Sequence, residues 1–201
     1  MSWEATTRAT YDRSAEALAE LFAGIGPRTA DIERGLALAG ADATARVVEI
    51  GCGDGRDAAE IIPRVGFYEG FDPSAGMLAV ASERLPEVSF VQADALTYEY
   101  PENLDVIYSF ASLLHSSIED MHDILGRARE ALRPGGVLYL SLKERETYIE
   151  EPQVDEYGKR MFYYYYPDLI RRIGGEALQP CYEDHQHIST TNWFTLALQK
   201  V

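Results

Sequence analysis

Cysteine is scarce in this chain: Cys52 and Cys181 are the only two. Cys52 sits inside a glycine turn, so a disulfide framework is not expected and a reducing compartment is. No apolar run approaches the ~18 residues that a membrane helix needs. The first residues, Met1-Ser2-Trp3-Glu4-Ala5, are polar and carry an acid, unlike a secretory leader. These absences together predict a cytoplasmic protein without a membrane partner. Positive charge is also short. Eighteen Lys and Arg stand against 33 Asp and Glu, for a net charge of −15. A nonspecific grip on a phosphate backbone needs clustered cations, so no nucleic-acid partner is expected. Repeats and low-complexity stretches are missing as well. What remains is ordinary for a globular protein, 46% hydrophobic and 25% charged, and 201 residues suit a single domain.

The informative stretch is Val47-Val48-Glu49-Ile50-Gly51-Cys52-Gly53-Asp54-Gly55. An apolar run reads as a buried parallel strand. Glycines at alternate positions read as a turn whose backbone approaches something closely. A helical stretch from Arg56 to Ile62 follows, stopped by Pro63. Strand, tight turn and helix make the ligand crevice of an open α/β sheet. The spacing is G-x-G-x-G, where a dinucleotide fold wants G-x-G-x-x-G, and no Lys-Ser/Thr pair follows to make a phosphate loop. Glu49 would repel a pyrophosphate and would suit a cation.

At this point the chain resembles the class I S-adenosylmethionine-dependent methyltransferases, whose cofactor is cationic at sulfur and carries no phosphate. Later elements agree with that resemblance. Val65 to Phe71 reads as a second strand ending in Asp72-Pro73-Ser74. Asp72 stands 17 residues after Gly55, close to the ~20 at which a carboxylate takes a ribose diol. Ser74 is placed to cap a helix with Leu78, Ala81 and Leu85 on one face. Val88 to Val91 reads as a third strand before Gln92-Ala93-Asp94-Ala95. Leu104 to Phe110 reads as a fourth, and Glu119 to Leu132 as an amphipathic helix. Arg133-Pro134-Gly135-Gly136 is its stop signal, and Val137 to Leu142 is a fifth strand. The Leu-Arg-Pro-Gly-Gly-Val-Leu run at 132–138 is a further hallmark of the family, as are Ser-Leu-Lys-Glu at 141–144 and Gly-Lys-Arg-Met-Phe-Tyr-Tyr at 158–164 of its compact members.

The resemblance implies a Rossmann-like seven-stranded sheet, mostly parallel, with an antiparallel strand from a C-terminal hairpin, helices on both faces and an N-terminal helical lid. The hairpin is read at Pro180–Ile188 and Trp193–Lys200. Its parts would be a cap at 1–42, a cofactor-binding core at 43–143 and an acceptor-side region at 144–201. S-adenosyl-L-methionine would be held by Glu49, Gly51, Cys52 and Gly53 at the turn, with Arg56 near its carboxylate. Asp72, Pro73 and Met77 would flank the ribose, and Asp94 and Ala95 the adenine. Ser109 and Phe110 would lie toward the methyl group.

Two residues are candidates for catalysis: His115, following the fourth strand, and Tyr11, on a helix read from Thr7 to Phe22. Each has a structural alternative, the His holding its loop and the Tyr packing its helix onto the sheet. A second helix is read from Thr29 to Ala39. The charged segment 144–166 is expected to close over the acceptor, with two of the four tyrosines Tyr163–Tyr166 facing the cleft. His185 and His187 share a strand face, but no carboxylate or thiol stands at ligand spacing, so no metal is expected. Methyl transfer from a sulfonium needs positioning more than acid–base chemistry, so the missing catalytic dyad excludes nothing. A short chain with no appended recognition domain points to a small-molecule acceptor. The alternatives are a binding module that holds the cofactor or its demethylated product without catalysis, and a nicotinamide oxidoreductase, which the glycine spacing and Glu49 oppose. Oligomeric state is not readable from these residues.

Overall fold

The computed structural model describes residues 2–201. Three helices come first: α1 (Trp3–Arg13), α2 (Ala15–Ala23) and α3 (Thr29–Leu38). The strand–helix core follows: β1 (Arg46–Ile50), α4 (Ala58–Ile61), β2 (Phe67–Asp72), α5 (Ala75–Arg84), β3 (Val91–Gln92), β4 (Leu104–Phe110), α6 (Ile118–Ala131) and β5 (Leu132–Lys143). The C-terminal part holds β6 (Ile149–Asp155), β7 (Gly158–Tyr164), α7 (Pro167–Gly174), β8 (Leu178–Ile188) and β9 (Thr191–Lys200).

Seven strands form one sheet in the order β3-β2-β1-β4-β5-β9-β8. The pairs β1–β2, β2–β3, β1–β4 and β4–β5 are parallel, and β9 runs antiparallel to both β5 and β8. The anticipated ending is therefore present: β9 is inserted between two strands that run the opposite way. Side-chain alternation sorts the strands onto two buried layers. Val48, Ile107, Leu138, Leu140 and Leu196 pack under Met121, Ile124 and Leu125 of α6. Val47, Val106, Tyr108, Val137 and Ala197 pack on the other face with Ile32 of α3.

Helix α6 starts where Ser117 accepts from the backbone of Asp120 while the Asp120 carboxylate accepts from that of Ser117, a reciprocal cap. It ends at Ala131, as the Pro-Gly-Gly run requires, but the chain enters β5 at once, pairing Leu132 with Leu104 before a register shift.

Several boundaries differ from expectation. The single helix read over 7–22 is two helices that meet at Ser14, whose hydroxyl donates to the Tyr157 carbonyl at 2.9 Å. The break lets α1 lie on β7 while α2 packs on α5. The helix read over 56–62 is one turn followed by a tighter turn at Ile62–Arg64, because Pro63 has no N–H to continue it. The second strand starts at Phe67 and not at Val65, and the third is two residues at 91–92. The 144–166 segment contains a separate hairpin, β6 with β7. No helix among the described residues is long and apolar enough to cross a membrane.

Candidate active site

Strand order reverses between β1 and β4, where successive connections leave to opposite sides. A crevice at the carboxyl ends of the strands is the expected result. A cavity of about 390 Å³ occupies that place. It runs along the sheet edge, from Asp94 beyond β3 to Ile188 and Trp193 in the β8–β9 hairpin, under α1 and the α2–α3 connection.

The glycine turn is shaped by two different constraints. Gly51 has φ +67°, and a Cβ there would fall 1.9 Å from the Ser112 hydroxyl oxygen. Gly53 has φ +53°, and a Cβ there would meet only the Met77 methyl, at 3.5 Å. Gly51 therefore admits a neighbouring loop, whereas Gly53 leaves open the space of the cavity it lines. The turn is tied to β2 by the N–H groups of Gly51 and Cys52, which both donate to the Phe71 carbonyl.

Two buried carboxylates flank it. Glu49 is 2% exposed and accepts from the Tyr68 hydroxyl at 2.6 Å. Burial, reinforced by Asp57 and Asp54, pushes its pKa up to about 8. Asp72 accepts from the N–H of Ser74 at 2.8 Å and of Gly53 at 3.1 Å. Burial nevertheless raises it to about 6, with Asp12 adding to the rise. Both groups are poised to gain from a cation or from hydroxyl donors.

Of the expected contacts, Glu49, Gly51, Cys52, Gly53, Asp72, Pro73, Met77, Asp94, Ala95 and Phe110 all line this one cavity. Arg56 lines it too, but its guanidinium is held by Asp57 at 2.6 Å and is not free for a ligand carboxylate. Ser109 departs from expectation. It is wholly buried and does not line the cavity, since alternation along β4 turns Ser109 to the face that Ile107 shares with α6, opposite to Phe110.

Tyr11 and His115 are brought together. The Tyr11 oxygen is 2.9 Å from His115 Nε2, and His115 Nδ1 is 2.6 Å from the Met161 carbonyl. Burial, with Arg160 and Lys143 adding to it, pushes the imidazole down to about 3, so it is neutral at pH 7. A neutral ring facing a carbonyl at Nδ1 must donate there, which makes Nε2 an acceptor. The Tyr11 proton is thus committed to His115, and the phenolic oxygen is left to accept from other donors. Arg160 is one, at 3.5 Å.

The expectation for 144–166 is corrected. None of the cavity-lining residues comes from that segment. Tyr164 and Tyr165 are buried in the core, and Tyr163 and Tyr166 pack against it. The hairpin supports α1 from behind: Thr10 donates to the Lys159 carbonyl at 2.7 Å, and Thr7 accepts from the Met161 N–H at 3.0 Å. His185 lies between Glu144 and Glu183, 3.0 Å from each, and His187 meets Asn192. Among the lining residues that the sequence did not single out are Ile25, Arg28, Ile188 and Trp193, which carry no local signal.

Fold and crevice together are those of a Rossmann-like α/β domain with a ligand site at the carboxyl ends of its strands. The family described as Methyltransferase domain matches residues 47–136. The trans-aconitate 2-methyltransferase of Rhizobium leguminosarum bv. trifolii (strain WSM2304) is 36% identical over 101 residues, 49% of this chain and 39% of that protein. The N-methyltransferase NodS from Bradyrhizobium japonicum WM9, in complex with S-adenosyl-L-homocysteine, is similar with a TM-score of 0.67 at 20% identity, over 86% of this chain and 85% of that one. The CcbJ methyltransferase from Streptomyces caelestis gives 0.70 at 17% identity, over 97% and 98%. Residues 47–136 thus carry a methyltransferase domain, and the chain as a whole is similar to S-adenosylmethionine-dependent methyltransferases. It spans less than half the length of the curated relatives it matches.

Proposed function

We propose that this chain transfers a methyl group from S-adenosyl-L-methionine to a small-molecule acceptor by in-line displacement. One observation carries the reading. Two buried carboxylates, Glu49 and Asp72, flank a turn left open at Gly53, and the arginines beside that turn, Arg56 and Arg84, are already paired with Asp57 and Asp54. That donor set fits a cationic, phosphate-free adenosyl compound and opposes a pyrophosphate. When bound, the cofactor supplies a methyl group on a sulfonium that departs as a neutral thioether.

The chain's own residues hold and screen. Asp72, oriented by two backbone N–H groups, takes the ribose hydroxyls, with Pro73 and Met77 beside it. Asp94 and Ala95 take the adenine. Glu49 offsets positive charge, and the backbone of Gly51, Cys52 and Gly53 bounds the methionyl part. Phe110 and the lid helix α1 exclude water, which strengthens these interactions and positions the acceptor. Tyr11 contacts the acceptor directly, with His115 setting the direction of its hydroxyl. The parts 1–42, 43–143 and 144–201 act as one unit, in a cytoplasmic setting and without nucleic acid.

A non-catalytic sensor would be favoured had the tyrosine run plugged the cavity. Its tyrosines lie in the core or pack against it instead, which leaves room for an acceptor. Calorimetric titration tests the proposal. S-adenosylmethionine and S-adenosylhomocysteine should bind and NAD should not; the reverse order would overturn it.

A further inference from the structure

The two ends of the cavity differ in chemistry. Over β1, β2 and β3 it is lined by carboxylates. Over β4 and the β8–β9 hairpin it is lined by Phe22, Ile25, Phe110, Leu113, Ile188 and Trp193. Ile25 and Ile188 remain 71% and 52% exposed. Large apolar side chains left in water around the mouth of a cavity mark a surface that a ligand covers.

Charge narrows the class further. Three arginines line the cavity: Arg8, Arg28 and Arg56. Arg56 is held by Asp57, and Arg28 by Asp31 at 2.7 Å, with Ser141 and Thr195 taking further N–H groups. Arg8 alone has no ion pair among the described residues, and Glu4, one helical turn away, lines the cavity beside it. A ligand with several carboxylates would find one available cation among six lining acids: Glu4, Glu49, Asp54, Asp57, Asp72 and Asp94. Bringing such a ligand out of water would leave its charges uncompensated. The Tyr11 oxygen, whose own proton points to His115, keeps room to accept from a ligand, since its other donor, Arg160, is 3.5 Å away.

We infer that the acceptor is a predominantly apolar molecule without negative charge, seated against Trp193, Ile188 and Ile25, whose nucleophile is a hydroxyl or amine that donates a hydrogen bond to Tyr11. This rests on the methyl-transfer reading above and names the class of its acceptor.

The test is binding. With the protein saturated by S-adenosylhomocysteine, phenol and its 4-methyl, 4-ethyl and 4-propyl homologues are titrated by calorimetry, with trans-aconitate as the polyanionic probe. Affinity should rise about three- to fourfold for each added carbon, and trans-aconitate should give no binding heat. Trp193→Ala should weaken 4-propylphenol about tenfold. Ile188→Asp, at an exposed position that folding tolerates, should do the same. A flat series, no phenol binding, or preference for trans-aconitate would overturn the inference. Failure of S-adenosylhomocysteine itself to bind would instead bring down the methyl-transfer reading on which it stands.

Discussion

Asp12 on the lid helix and Gly76 at the start of α5 are in direct contact. One Asp12 carboxylate oxygen accepts from the Gly76 N–H at 3.2 Å and from the Ser74 hydroxyl at 2.8 Å. A Cβ on Gly76 would fall 2.5 Å from the Asp12 carbonyl oxygen. The lid thus places an anion at a helix N-terminus, which favours it, and sits so close that only glycine fits.

Gly76→Ala should therefore unseat α1. Helix propensity alone would favour the alanine by ~1 kcal/mol. The clash is with backbone and should outweigh it, for a net loss of roughly 1–2 kcal/mol. Faster tryptic cleavage at Arg8 and Arg13, with weaker cofactor binding, would confirm this. An unchanged digestion pattern would show that the contact is not what closes the cavity.

Tyr11→Phe keeps the ring, which meets His115 edge-on with centroids 5.4 Å apart, and removes the hydroxyl. His115 Nε2 then has no donor. Leaving a buried acceptor unsatisfied costs about 1–3 kcal/mol, readable as a lower urea midpoint. His115→Phe in the Tyr11→Phe background removes the orphaned Nε2 but takes the Nδ1 donor from the Met161 carbonyl, so the double variant should lose less than the sum of the two single ones. Additive destabilisation in the double variant would contradict the pairing.

Asp72→Ala should weaken S-adenosylmethionine binding by ~1–3 kcal/mol, roughly a 5- to 150-fold rise in Kd. Gly53→Val should abolish it, because the side chain fills open cavity and strains a backbone at φ +53°. Circular dichroism separates these losses from misfolding. Ordinary affinity in both folded variants would remove the cofactor from this crevice.

Glu49 predicts a pH dependence of definite sign. Its pKa is about 8 in the folded chain against an ordinary 4.5. The folded state therefore binds more protons than the unfolded one between those values, and stability falls as pH rises through them. Over pH 6.5 to 8, above the value of about 6 for Asp72 and of about 3 for His115, this amounts to ~1–2 kcal/mol. Urea titrations should show the decline, and Glu49→Gln should flatten it. A bound cation would draw the proton off, so cofactor binding at pH 7 should release protons, seen as a dependence of binding heat on buffer ionisation enthalpy. A pH-independent Glu49→Gln difference would refute the assignment.

The cofactor side was legible because its signals are local. An apolar run ending at Ile50, glycines at 51, 53 and 55, and carboxylates after successive strands each follow from backbone conformation or short spacing. The acceptor side was not. The burial of Phe162 and Tyr164 on either side of the half-buried Tyr163 marks a strand in retrospect, but nothing in it says that the strand supports α1 and leaves the cavity alone. Trp193 reaches the cavity only because β9 is inserted beside β5, in a register that pairs it with Lys143.

By itself the amino-acid order determined the succession of strands and helices, the shape of the glycine turn, and the acids beside it, since turn conformation and periodicity act over a few residues. Tertiary structure alone decided that Tyr11 meets His115 across 104 residues, that Ser109 turns away from the crevice, and that the 144–166 segment stays out of the cavity. Those outcomes depend on which distant surfaces bury one another, and that is settled by packing the whole chain.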